Sequence, residues 1–217
     1  MNTNMSFDHL RYIAIEGVIG VGKTSLANKL KEAIGGQLFL EEFEENPFLE
    51  DFYRDPQHFA FQTQLFFLLS RYKQQEKIIQ YDLFQSRMIA DYMFQKDRIF
   101  ATINLNEKEF ILYNMLATIL EKRVVKPDLA IYLRASTERL LKNIEIRGRE
   151  YEKQIKKEYI NSLAKYYDEF FWNYDDTALL IINTEKLDFV NKQDHLHKIF
   201  TEISSHRSGK KNITFDI

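Results

Sequence analysis

The sequence predicts an α/β fold, a five-stranded parallel sheet flanked by helices on both faces, in one domain over residues 1–217. Three observations predict it. Five short apolar runs alternate with segments of helical periodicity, the order that parallel strands and their crossover helices require. The first run passes through a glycine-rich loop straight into a helix. Two further runs end at a carboxylate, where an open parallel sheet presents its ligand crevice.

Residues 1–10 are polar and expected to be loose. Arg11–Glu16 is the first strand. Gly17-Val18-Ile19-Gly20-Val21-Gly22-Lys23-Thr24 follows, then Ser25, and Leu26, Ala27, Leu30, Ala33 and Ile34 recur at helical spacing. Gly35-Gly36 ends that helix. Gln37–Glu41 is the second strand. Asn46-Pro47 starts a short helix carrying Phe48, Leu49, Phe52 and Tyr53, with Asn as cap and Pro in the first turn. Asp55-Pro56 repeats the signal for a long helix to about Gln80. On it Gln64 and Arg71 are seven apart, nearly on one line.

Arg87–Asp91 is the third strand. A helix is predicted over 105–125, ended by Pro127, and Leu129–Leu133 is the fourth strand. Ser136 caps a helix running to Arg147. Residues 151–174 are charged and helical, Ala178–Ile182 is the fifth strand, and a last helix covers 191–205. Residues 206–217 read as a loose tail.

Bulk composition narrows the function classes. Lys+Arg number 30 against 32 Asp+Glu, a formal charge of -2, which argues against a polybasic nucleic-acid surface or a membrane patch. Cysteine is absent, excluding disulfides and thiolate metal sites. No apolar run resembles a signal peptide or is long enough to span a bilayer, so the expected location is cytoplasmic. The 18 Phe and 12 Tyr residues imply an aromatic core, or a cleft suited to flat ligands.

The loop matches the phosphate-loop pattern G-x-x-x-x-G-K-[ST] at every fixed position. Its glycines let successive N–H groups turn inward as an anion nest, and the helix aims its positive end at the same place. Lys23 would reach the β- and γ-phosphates of ATP or GTP, and the Thr24 hydroxyl would ligate Mg²⁺. Phosphoryl transfer also needs a base, a metal organiser and positive charge over the moving group. Glu41, at the end of the second strand, is the base candidate; the competing reading is one more acid in the run Glu41–Glu45. Asp91 is the metal candidate, or simply a strand-ending turn residue. Arg147 and Arg149, flanking Gly148, can close over phosphates, or merely favour a helix C-terminus.

The chain resembles the deoxynucleoside kinase family, especially its bacterial deoxyadenosine/deoxyguanosine-type members. Four motifs carry the resemblance: Gly17–Thr24; Glu41-Glu42-Phe43-Glu44-Glu45-Asn46-Pro47-Phe48-Leu49 with Phe52-Tyr53; Phe61-Gln62-Thr63-Gln64 leading to Leu69-Ser70-Arg71; and Arg147-Gly148-Arg149-Glu150-Tyr151-Glu152. The resemblance implies an ATP:deoxynucleoside 5′-phosphotransferase with Mg²⁺, in which Glu41 activates the 5′-hydroxyl. It implies that Tyr53 and Glu152 hold the sugar 3′-hydroxyl. Gln64, Arg71 and Asp97 would read the base, Phe100 would wall its pocket, and Arg147 and Arg149 would form a short lid over the phosphates. The spacing from Asp97 to Phe100 is one residue tighter than in the animal members. Asp91-Tyr92-Met93 replaces the family's Asp/Glu-Arg-Ser: either Arg87 or Arg98 supplies the missing charge, or the cleft is arranged differently.

Two other readings compete. A nucleoside monophosphate kinase would need further positive charge for its acceptor's phosphate. A nucleotide-binding switch would need neither a sugar-reading tyrosine and glutamate nor a glutamine–arginine line. The base remains open among adenine, guanine and cytosine, because an amide can present donor or acceptor, although the Asn46-Pro47 motif resembles that of purine kinases. The resemblance also implies a homodimer, for which the apolar helices at 56–80 and 105–125 offer an interface.

Overall fold

The central strand, β1 (Tyr12–Gly17), is buried at all six positions. A strand covered on both faces has no need for polar alternation. The computed structural model describes residues 5–83 and 87–215, and of residues 81–83 the backbone alone. The other strands are β2 (Gln37–Phe39), β3 (Met88–Ala90), β4 (Leu129–Arg134), β5 (Ala178–Asn183) and β6 (Lys210–Thr214). They form one six-stranded sheet in the order β2-β3-β1-β4-β5-β6, with every pairing parallel. The helices are α1 (Lys23–Ile34), α2 (Leu49–Arg54), α3 (Pro56–Leu83), α4 (Lys96–Asn104), α5 (Glu107–Glu121), α6 (Thr137–Arg147), α7 (Lys157–Asn173) and α8 (Gln193–Ser205).

The expected sheet had five strands, and residues 206–217 were expected to be loose. Instead Lys210–Thr214 pairs in register with β5, from Leu179–Lys210 to Asn183–Thr214. An edge strand is held by backbone hydrogen bonds on one side and needs little apolar pattern. Only Ile213 of β6 is buried. Residues 5–10 are likewise packed rather than loose. Phe7 and Leu10 join the core, and Arg87 donates to the carbonyls of Phe7, Leu10 and Ile34 at 3.1, 3.0 and 2.7 Å. Residues 1–4 and 216–217 of the two expected tails lie outside the described residues.

The helix predicted over 105–125 is α5, entered through a capping box in which Asn106 and Glu109 bond each other's backbone N–H. α4, directly before it, was not predicted. It packs against α3 and α7 and carries Asp97 and Phe100. Among the described helices, none is long and apolar enough to cross a membrane.

Glu16 is the one charged residue of β1. Its carboxylate accepts hydrogen bonds from the N–H groups of Met93 at 2.6 Å and Gly17 at 3.1 Å, and from the Tyr167 hydroxyl at 3.2 Å. Burial raises its pKa. Glu16 thus ties the start of the phosphate loop to the segment after β3.

Candidate active site

The loop between β1 and α1 folds as its glycines allow. Gly20 and Gly22 sit at φ +86° and +101°, a left-handed region costly for other residues. A Cβ at Gly20 would meet the Leu140 carbonyl oxygen at 2.7 Å, so α6 lies directly on the loop. Asn143 of the same helix donates to the Gly20 carbonyl at 2.8 Å. Gly17 ends β1, and Val18 and Val21 are buried anchors. Ile19, Gly20, Lys23 and Thr24 face a cleft, and Ser25 lies in the first turn of α1. Lys23 folds back onto the carbonyls of Gly17 and Val18, at 2.7 and 3.4 Å. Burial and the nearby Lys96 charge lower its pKa to about 8.

The sheet order brings the two strand-end carboxylates together. β3 lies between β2 and β1, so Asp91, directly after β3, stands between Glu41 and the loop. Its Oδ2 accepts from the Thr24 hydroxyl at 2.5 Å, and its Oδ1 accepts from the Glu41 N–H at 2.8 Å. A hydroxyl and a carboxylate beside a phosphate loop are hard oxygen donors, a set that suits Mg²⁺ with phosphates and water.

The Gln64–Arg71 line on α3 faces inward, and both residues are buried. Arg71 pairs with both Glu41 and Asp97. Lys96, the first residue of α4, donates to the other Glu41 oxygen at 2.6 Å. Burial opposes charge on Glu41, but Arg71 and Lys96 outweigh it and hold its carboxyl well below the usual range. Gln64 Oε1 has no hydrogen-bond partner among the described residues, so a ligand edge can satisfy it. Phe100 lines the same cleft and meets Tyr167 edge-on, with ring centroids 6.2 Å apart. Asp97 stands behind Arg71 rather than on the cleft wall.

The fourth group closes the cleft. α6 ends at Arg147, Gly148 takes the left-handed cap, and Arg149 leads into a 3-10 turn at Glu150–Gln154. Arg147 donates to both oxygens of Glu152, at 2.6 and 3.0 Å. Arg149 lies over the Phe43 ring at 4.1 Å and within 3.5 Å of Glu152. Tyr53, on α2, stacks on Tyr151 with centroids 5.8 Å apart, beside Glu152 on the cleft wall. One cleft thus holds an anion-binding loop with two arginines at one end. At the other it holds uncharged and paired polar groups around a flat, aromatic-walled space.

The chain matches the deoxynucleoside kinase family over residues 13–207. It belongs to that family. Its relatives include the deoxyguanosine kinase of Bacillus subtilis, 36% identical and covering 90% of this chain and 95% of that protein. The deoxyadenosine/deoxycytidine kinase of the same organism is 30% identical, over 92% and 95%. Among solved structures, deoxyadenosine kinase from M. mycoides with bound dATP superposes with a TM-score of 0.78 at 28% identity, covering 89% of this chain and 98% of that one. The same enzyme with bound dCTP gives 0.76. The chain is therefore a deoxynucleoside kinase.

Two findings about this kinase were not legible beforehand. Arg87 and Arg98 do not replace the arginine missing after Asp91. Arg87 holds the N-terminal segment, and Arg98 bonds Thr118 and Glu121 on α5. Tyr92 is fully buried. The further cation on Glu41, beside Arg71, is Lys96. The only sequence signal for it was its place between Asp91 and Asp97, within an unassigned segment.

Proposed function

We propose that this kinase moves the γ-phosphoryl group of ATP to the 5′-hydroxyl of a purine deoxynucleoside. The observation that carries the reading is Asp91, bonded at once to Thr24 of the phosphate loop and to the Glu41 backbone. It joins the donor half of the cleft to the acceptor half at one carboxylate.

In this reading the loop amides from Gly17 to Ser25 and the Lys23 ammonium bind the triphosphate. Lys23 exchanges its backbone carbonyl partners for phosphate oxygens. Thr24 and Asp91 would hold Mg²⁺, which supplies charge neutralisation across the phosphates. Glu41 orients the 5′-hydroxyl in line and accepts its proton. Arg147 and Arg149 neutralise charge spread over the transferring group. Tyr53 and Glu152 hold the 3′-hydroxyl, and Gln64 and Arg71 read the base against Phe100, with Asp97 acting through Arg71 from behind it. A purine preference is supported by relatives named for deoxyguanosine and deoxyadenosine. Deoxycytidine is the alternative base, given a relative named for both.

A homodimer and a cytoplasmic setting belong to the same reading. Ile111, Leu112, Met115, Leu116 and Ile119 form one exposed apolar stripe on α5. Contiguous exposed apolar surface of this kind marks an association site. A second copy of the chain, offering the same stripe across a two-fold axis, covers it.

The test is a coupled phosphorylation assay with ATP and Mg²⁺ against the four deoxynucleosides, their ribo counterparts and deoxythymidine monophosphate, beside Glu41→Gln. The reading requires turnover of one or two purine deoxynucleosides, lost in the variant. Turnover of the monophosphate alone would move the chain to another kinase class.

A further inference from the structure

Lys96 occupies a place that ordinary packing does not favour. It is 3% exposed, and lysine is among the residues least often fully buried without a partner. It is also the first residue of α4. A cation there faces the positive end of the helix dipole. Two unfavourable terms are offset by the 2.6 Å hydrogen bond to Glu41 Oε2 and by attraction to the buried Glu16 carboxylate. That hydrogen bond is not needed to give Glu41 a counter-charge, because Arg71 already holds Oε1.

We propose that Lys96 is a positioning residue for phosphoryl transfer, fixing the Glu41 carboxylate from the side opposite Arg71 so that its free lone pairs face the acceptor hydroxyl. This rests on the reading of Glu41 as the group that receives the 5′-hydroxyl proton. With a cation on each oxygen the carboxylate can neither rotate nor swing, and each oxygen keeps one further acceptor site. The Lys96 ammonium makes no other hydrogen bond among the described residues, and the side chain lines the cleft with Lys23 and Asp91.

Two effects of removing it oppose each other. Losing a cation would make Glu41 a stronger base, which speeds a reaction limited by proton abstraction. Losing it would also free the carboxylate to move. Phosphoryl transfer passes through a loose transition state in which the attacking oxygen is only weakly bonded, so positioning outweighs basicity. A misplacement of about 1 Å is worth on the order of a hundredfold. The net effect is loss of rate.

The competing role is charge balance alone: Lys96 and Arg71 against Glu41 and Asp97. That role would affect folding stability and leave turnover intact once the protein is folded.

The experiment measures kcat and both KM values for wild type, Lys96→Met, Lys96→Arg and Lys96→Gln, with thermal melting as the check on folding. In Lys96→Met, kcat should fall about a hundredfold with each KM within about threefold. Lys96→Arg should regain at least a tenth of wild-type turnover. In a Glu41→Gln background the methionine change should cost less than threefold, because both act through one carboxylate. If Lys96→Met does not fold, Lys96→Gln decides by the same criteria. A folded variant with wild-type kcat, a loss confined to KM, or an equal loss in the Glu41→Gln background would overturn the proposal. A wild-type protein that phosphorylates no deoxynucleoside would instead overturn the reading of Glu41 on which it rests.

Discussion

Arg147 rests on Glu152 through two hydrogen bonds, at 2.6 and 3.0 Å. In the proposed reading one residue belongs to the phosphate lid and the other to the sugar side, so this contact links the two halves of the site. Glu152→Gln keeps the shape but removes the charge. We expect kcat/KM for the deoxynucleoside to fall about 10- to 100-fold, the worth of a hydrogen bond to a charged group, with KM for ATP not raised. The preference for deoxy over ribo substrates should shrink as well. Steady-state kinetics varying each substrate in turn would check this.

Arg71 serves two acids at once, the buried Asp97 and the half-buried Glu41. Arg71→Met leaves Asp97, which is 2% exposed, without its cation. Breaking such a pair costs roughly 3–5 kcal/mol, which for a chain of this size lowers the melting temperature by about 10 °C. Adding Asp97→Asn should restore most of that loss while activity stays low, since Glu41 has still lost one of its two cations. Differential scanning calorimetry on the single and double variants would show it.

Glu16 makes stability depend on pH. Burial raises its folded-state pKa above the unfolded value of about 4.3. Its contribution is therefore fully present below that unfolded value and is lost as pH rises through the folded one. Glu16→Gln has no such titration. The melting temperature of wild type relative to Glu16→Gln should fall steadily as pH is raised from about 4. A constant difference across that range would contradict it.

The exposed stripe on α5 gives a prediction about assembly. Met115 and Ile119 are 61% and 63% exposed in the single chain, and they lie one turn apart. Met115→Glu combined with Ile119→Glu places charge in the centre of the expected interface. Light scattering should then report the mass of one chain where wild type gives two, with the phosphate loop and cleft untouched.

Much of this site was legible because its signals are local. The phosphate loop is a contiguous pattern, Glu41 and Asp91 follow directly from strand ends, and the seven-residue spacing of Gln64 and Arg71 is helix geometry. What escaped depends on contacts between distant segments or on elements with little pattern of their own. Lys96 meets Glu41 only because β2 and β3 are neighbours in the sheet, and α4 starts without a side-chain cap at Gln95. The break between α4 and α5 did carry a signal, the Asn106-Glu107-Lys108-Glu109 capping box. β6 carried none, because Lys210-Lys211-Asn212 reads as surface.

That sixth strand bears on how the chain survives its own synthesis. β5 is a nearly unbroken apolar ribbon, Ala178–Asn183, and until residues 210–214 are made its outer row of N–H and C=O groups has no mate. An open apolar edge recruits strands from other molecules. The segment that seals it is short and begins with two lysines, so it completes the hydrogen-bond ladder and then offers strangers a charged rim. A chain cut after His206 would still possess every residue of the cleft, and its fate would be aggregation.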